Sequence, residues 1–317
     1  MSSPYTGGNA MSGKQVNGIS FTMNDDYYPG LFRGADLASI SAQETYFLLQ
    51  RVYLGSLIIG GILGALTSLF HGSALTWIYT SMAAVLSVGL LVLWIGRARQ
   101  DDKIWFDCRA VAESVKTATW RFMMAVPPFE KDDSVDQRFI SELREIREAR
   151  PDCQKYLAGV VGADASPITE FMRKTRSLTF EERKQFYIEQ RLRDQKSWYS
   201  RKAQMNARSG ERWFWSTVVL QLLAIIAAIA QIPIGGFGVN LVPIATTCAA
   251  AAVAWNQMKR HDELKKTYAL ASQELSELEA IARGLTTNDD FLQLVEQVEE
   301  AISREHTMWC ARRDVLL

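Results

Sequence analysis

The chain has 317 residues, with 35 basic and 35 acidic side chains, 48% apolar residues and 22% charged ones. Zero net charge removes the electrostatic footprint expected of a nucleic-acid-binding protein. The three histidines (His71, His261, His306) are too scattered for a metal site or a catalytic triad, and there is no phosphate-cradling glycine loop, so neither a cofactor nor enzymatic activity is expected.

In chain order, the polar Ser/Gly-rich start reads as a disordered tail over residues 1–30, without a cleavable signal peptide. Ser41-Ala-Gln-Glu44 has the form of a capping box, predicting a helix that begins there and continues through Arg51 into a membrane span. From Val52 to Gly96 the chain holds no Asp, Glu, Lys or Arg, and the same is true from Trp213 to Met258. Soluble core helices do not sustain charge-free windows of that length. Each window accommodates two bilayer-crossing helices of about 20 residues.

The predicted spans are 52–70 and 74–96, turning at His71-Gly72-Ser73, then 213–232 and 237–258, broken at Pro233-Ile234-Gly235-Gly236. Backbone groups in hydrocarbon must be paired within their own segment, so these runs are helices. The Ala-rich fourth span is the weakest by hydropathy. Arg33, Arg51, Arg97, Arg99, Lys103 and Arg109 flank the first pair, and Arg201, Lys202, Arg208, Arg212, Lys259 and Arg260 flank the second. The hairpin loops carry no basic residue, so the positive-inside rule puts both termini and the middle segment in the cytoplasm. Trp77, Tyr79, Trp94, Trp213, Trp215 and Trp255 lie near the span ends, as interfacial aromatic residues do.

The expected fold is therefore an all-α integral membrane protein with two transmembrane helical hairpins (four spans) continuous with long cytoplasmic helices. The first module covers 31–126 and the second 179–317, opened by a capping box at Thr179–Glu182. Between them, 127–178 reads as a loop-rich cytoplasmic linker with one short helix at 134–150. The exit helices are expected to run unbroken from Arg97 to Val126 and from Lys259 to Arg283. Cys108, Cys153 and Cys310 fall on the reducing side and Cys248 in the membrane, so no disulfide framework is implied.

Three patterns are candidates for function. Ser56, Gly60, Gly64 and Ser68 recur every four residues in the first span. Such a small-residue stripe serves either packing within its own hairpin or a self-association or pore face. Leu264, Tyr268, Ala271, Leu275, Leu278, Ala282 and Leu285 form a heptad seam, for packing on the chain's own helices or on another subunit. Two stretches interleave aromatic and charged residues. Arg109, Glu113, Lys116 and Trp120 line one helical face followed by Arg121, with Glu113 in reach of Arg109 and Lys116. Asp194, Gln195, Trp198, Tyr199 and Lys202 form a comparable set, with Asp194 able to reach Arg191 or Trp198. Both stretches fit a structural belt or subunit contact, or the recognition of a small anion. No acid or base lies within the spans, which argues against a proton-coupled transporter. A pore would have to be wide or gated by an apolar constriction.

The same stretches carry a resemblance. Trp105–Arg121, with its Ala-Glu-Ser-Val-Lys core and Trp-Arg pair, resembles the segment after the hairpin in one SLATT subfamily. Arg191–Ala203, with Asp-Gln-Lys-Ser-Trp-Tyr-Ser-Arg-Lys-Ala, is similar to the entry helix of another, and Asp36 and Gln43 suit the family's N-terminal pattern. The resemblance covers 31–126 and 179–284. It implies a bacterial two-helix membrane module, of a kind proposed to act as a pore-forming effector in conflict and antiphage systems. Such modules are paired with a nucleotide-generating or nucleotide-sensing partner. This chain departs by carrying two modules and no recognisable nucleotide synthase or sensor domain. The expectation is a homo-oligomeric inner-membrane effector answering a cytoplasmic nucleotide signal or sensor protein. The alternative is a non-conducting anchor or scaffold that recruits cytoplasmic partners through the seam and residues 127–178.

Overall fold

The computed structural model describes residues 15–16, 19–20, 22–130, 132–157, 166–232 and 240–314, with side chains from 22 to 304 outside the two gaps and residue 131. A two-residue antiparallel pair (Gln15–Val16 with Ile19–Ser20) precedes the helices α1 (Gly30–Leu66), α2 (Ser73–Arg99), α3 (Asp101–Met124), α4 (Val135–Glu148), α5 (Pro151–Leu157) and α6 (Glu170–Arg176). They are followed by α7 (Phe180–Tyr187), a π turn (Ile188–Arg193), α8 (Asp194–Ala230), α9 (Val242–Lys259), α10 (His261–Ala282) and α11 (Asn288–Asp314). The chain forms two compact units, one of Met1–Gln43, Asp102–Lys202 and Thr267–Leu317, the other of Glu44–Asp101 and Ala203–Lys266.

The second unit contains the charge-free windows. Among the described residues, three helical stretches, Gly30–Leu66, Ser73–Met124 and Phe180–Ala230, are long and apolar enough to cross a membrane. The expected fourth span is not among them. Its helix begins only at Val242, with Pro243 in the first turn and the Asn240 side chain accepting from the Val242 amide, and it has 18 residues. Residues 237–239 and the 233–236 break lie outside the described residues. Ala249, Ala251 and Ala252 are buried, which explains the low hydropathy: small side chains bring neighbouring helices close.

The small-residue stripe of α1 faces α2. Gly60 meets Leu86 at 3.0 Å and Gly64 meets Met82 at 3.9 Å, measured from where a Cβ would stand, while a Cβ on Gly89 would collide with the Ser56 hydroxyl. Ser56 is buried and its hydroxyl donates to the Tyr53 carbonyl at 2.7 Å, as Ser68 Oγ does to Ala65 at 3.1 Å. Gly61, one position round the helix, faces Thr247 of α9 at 3.0 Å.

The exit helices differ from expectation. Both break where the charge-free windows end. Gln100 (φ 51°) and Arg260 (φ 51°) are left-handed, and each closes the preceding helix by a backbone bond, to Gly96 and to Asn256 respectively. New helices start at once, with Asp101 and Asp102 or Asp262 and Glu263 in their first turns, where acids complement the helix dipole. Arg99 pairs with Asp101 at 2.8 Å and Arg260 with Glu263 at 2.5 Å. Gly210 of α8 accommodates the second break, since a Cβ there would stand 3.3 Å from His261. Asn206 Oδ1 meets His261 Nδ1 at 2.8 Å.

In the first unit, the end of the expected 1–30 tail is ordered. Asn24 caps Asp25–Tyr27, and Tyr28 is fully buried, so α1 starts at Gly30 and the Ser41 capping box is interior to it. Among its described residues the 127–178 segment has three helices rather than one, α4, α5 and α6. The loop 126–130 is gripped by arginines. Arg121 donates to the Pro127 carbonyl (2.6 Å), Arg138 to Pro128 (2.7 Å), and Arg176 to Phe129 (2.6 Å) and Glu130 (3.0 Å). Helix α5 is clamped to α3 by Lys103–Asp152 (2.5 Å), Arg150–Asp107 (3.5 Å) and a disulfide between buried Cys108 and Cys153. That pairing corrects the expectation of unpaired cysteines, since docking α5 on α3 brings two distant thiols to a Cα separation of 5.0 Å. The Thr179 capping box forms, with Glu182 accepting from the Thr179 amide at 3.1 Å. Of the heptad seam, Tyr268, Ala271, Leu275, Leu278 and Ala282 are buried within the chain, so most of it is unavailable to a partner.

Two outcomes follow for detergent-solubilised protein. Gly89→Val should lower stability by about 1–3 kcal/mol through overpacking against Ser56, whereas Gly55→Ala, with open space around it, should raise it by about 0.5–1 kcal/mol. Gln100→Gly and Arg260→Gly should each stabilise by about 1 kcal/mol by relieving the left-handed conformation. Thermal unfolding reads both; an unchanged melting point for Gly89→Val would mean that α1 and α2 do not pack at this crossing.

Candidate functional site: a buried charge network

The two aromatic–charged stretches meet in the first unit. Helix α3 supplies Arg109, Glu113, Lys116 and Trp120 from one face. The run from α7 through the π turn into α8 supplies Tyr187, Arg191, Asp194, Gln195, Trp198 and Lys202, again at steps close to four. The π turn, which inserts a wider ring into the helical ladder, holds Arg191.

Arg109 sits between two carboxylates, Asp36 of α1 at 3.1 Å and Glu113 at 2.5 Å, and Lys116 stands 3.6 Å from Glu113. Lys116 is fully buried, its ammonium 5.0 Å from the centre of the Phe32 ring and 6.0 Å from that of Tyr28. Burial pushes its pKa below the usual lysine range, and Glu113 opposes that shift. Burial likewise raises Asp36 and Asp194, against the pull of Arg109 on the first and of Gln195 and Arg191 on the second. Trp120, also fully buried, donates to the Tyr28 hydroxyl at 2.9 Å and packs on Phe186 and Tyr187.

Arg191 makes the tightest pair. Both its Nε (2.9 Å) and Nη2 (2.6 Å) reach the Glu299 carboxylate of α11, which also accepts from the Tyr187 hydroxyl at 3.0 Å. The Arg191 and Glu299 side chains are 0% and 2% exposed, so the pair is desolvated and depends on this fork geometry. Burial, then the Glu299 charge, raises the Tyr187 hydroxyl well above its ordinary value. Nearby, Glu279 of α10 takes Arg193 at 2.9 Å and Lys196, and these bonds lower its pKa to about 2.

Of the sequence candidates, Asp194 meets Gln195 at 3.2 Å and does not take Arg191, whose carboxylate is Glu299. Trp198 and Tyr199 are buried against Tyr268, and Lys202 lies 5.7 Å over the Trp198 ring. Arg121 points elsewhere, toward the Pro127 carbonyl and Glu296. Sequence reading missed Tyr28, Phe32, Tyr187, Glu279 and Glu299, which come from segments without a distinguishing pattern. The anion-binding reading meets a direct obstacle, because Arg109 and Arg191 are engaged by the chain's own carboxylates. An open cleft of about 530 Å³ elsewhere in this unit is lined by Asp132, Asp133, Asp136, Arg173 and Arg176, with Arg173 paired to Asp136 at 2.7 Å. Among the described residues no group of His, Cys, Asp and Glu is placed to hold a metal.

The network joins α11 to the π turn through the buried Arg191–Glu299 pair. Glu299→Ala should destabilise the protein by about 3–5 kcal/mol because it strands Arg191. The double replacement Arg191→Met with Glu299→Leu should recover most of that loss. Chemical or thermal unfolding of both variants checks this, and a single variant as stable as the double one would show the pair to be solvated.

The family model for the SMODS and SLOG-associating 2TM effector domain 3 matches residues 29–184, and that for domain 1 of the same name matches 187–309. The first match carries Asp36 and the α3 half of the network; the second carries Tyr187, Arg191 and Glu299. No curated protein and no solved structure matches the chain. The chain is a tandem of two SLATT domains, both of them two-transmembrane effector domains.

Proposed function

We propose that this protein is a homo-oligomeric effector of the bacterial inner membrane that opens a path through the bilayer in a conflict or antiphage response. Both termini and the non-membrane unit lie in the cytoplasm, as the basic flanks of the windows favour, with the Cys108–Cys153 disulfide kept from cytoplasmic reductants by its full burial, and the α9 segment crosses as the fourth span. The protein acts by permeabilisation and not by catalysis.

The observation that carries this reading is the path of the entry helices. Helix α1 bears Asp36 of the network and, further along, the charge-free run from Val52. The stretch Phe180–Ala230 bears Arg191 and Asp194 and then the run from Trp213. A cytoplasmic nucleotide signal or sensor protein that breaks the network therefore acts on the same helices that enter the bilayer. The exit helices, by contrast, break at Gln100 and Arg260, where the charge-free windows end. The resting network is the closed state, and loss of its ion pairs is the opening event.

Purified protein in liposomes should release an entrapped ion or dye slowly. Asp36→Ala and Glu299→Ala should raise release at least several-fold, while Gly55→Ala should not. Liposomes that stay tight with both network variants, and with the native activating partner present, would refute the pore and leave the anchor or scaffold reading.

A further inference from the structure

We infer that Arg51, Lys259 and the rings around them form a site for the phosphate of an acidic phospholipid. All of these residues belong to the second unit. Arg51 is the last charged residue before the first charge-free window and Lys259 the first after the second, so both stand at the depth of the lipid headgroups. Two different helices bring them to one indole. The Arg51 guanidinium carbon lies 5.5 Å from the centre of the Trp255 ring, and the Lys259 ammonium lies 5.1 Å from the same centre. Lys259 also sits 3.3 Å over Phe47, and Trp213, the residue that opens the second window, packs 6.4 Å from Trp255.

Two cations that share one ring repel each other, and no carboxylate is within ion-pair distance of either among the described residues. The charged group that acts on Lys259 is Arg51 itself. Of the other cations at the window edges, Arg99 has Asp101 and Arg260 has Glu263, while Arg97 and Arg212 pair with no carboxylate among the described residues and share no ring with a second cation. Aromatic faces offset part of the repulsion but carry no net charge.

A phosphodiester supplies what is missing. Its oxygens match the guanidinium fork and accept from an ammonium, and its glycerol and first acyl methylenes are suited to the Phe47, Trp213 and Trp255 rings. The headgroup must be net negative, because a choline or ethanolamine would add a third cation to the cluster. A soluble phosphate would use the cations but not the aromatic floor, which points to a lipid. The assignment requires only that α1 enters the bilayer at Val52 and is independent of whether the protein conducts.

The test is native mass spectrometry of the full chain in detergent, offered phosphatidylglycerol or phosphatidylcholine at equal mole fraction. The wild type should retain phosphatidylglycerol at least fivefold better, given roughly a fivefold gain for each basic residue near an anionic surface. R51Q/K259Q should bring the ratio to parity, and R51K/K259R should keep it. Should R51Q/K259Q fail to fold, R51Q alone, at an exposed position, must cut the preference at least twofold. Equal retention by the wild type, or an undiminished preference in R51Q, would overturn the site. Displacement of the lipid by millimolar inorganic phosphate would overturn its assignment to a lipid.

Discussion

Hydrocarbon does not solvate charge, and this constraint organises the chain. Because neither window can hold an ionised side chain or an unpaired backbone group, each must be helical and each must push its cations to the ends. The same exclusion shapes what happens at those ends. Arg99 and Arg260 are paired with acids in the next helix, whereas Arg51 and Lys259 are drawn onto aromatic faces. Inside the windows, helices pack closely, so Gly89 against Ser56 and Gly61 against Thr247 carry contacts that larger side chains would block.

The first unit solves a different problem. It buries several charges and depends on matching them. Arg191 with Glu299, and Arg109 with Asp36 and Glu113, are pairs whose partners come from separate segments, so each ties distant parts of the chain together. Such pairs add little net stability relative to apolar packing, but breaking one is costly because it strands the other charge. A network with that property is held or lost as a set, because withdrawing one member leaves another charge buried without its partner.

The two SLATT domains repeat an asymmetry between entry and exit. In both, the helix entering the charge-free window is continuous and the helix leaving it breaks at a left-handed, non-glycine residue followed by acids. Gln100 and Arg260 are in different sequence surroundings, so the repeat lies in the backbone and is nearly invisible in residue identity. The left-handed residue redirects the chain while keeping the helix ends bonded.

What the residues determined alone follows from local rules. Charge exclusion located both windows, the Thr179–Glu182 capping box located the start of α7, and a spacing of four and three linked Glu113 to Arg109 and Lys116, all without reference to the rest of the chain. The tandem domain assignment was likewise carried by contiguous motifs. What only the tertiary structure decided involves partners far apart in sequence. Glu299 as the counter-ion of Arg191, Cys153 beside Cys108, and Tyr28 beneath Trp120 have no local signal, because each depends on which helix packs where. The seam of α10 could have served an outside partner as well as an inside one, and burial of Tyr268 and Leu275 in the chain's own core assigned most of it inward. The breaks at Gln100 and Arg260 escaped for a related reason: neither residue is a glycine or proline, and tertiary packing, not propensity, holds them left-handed.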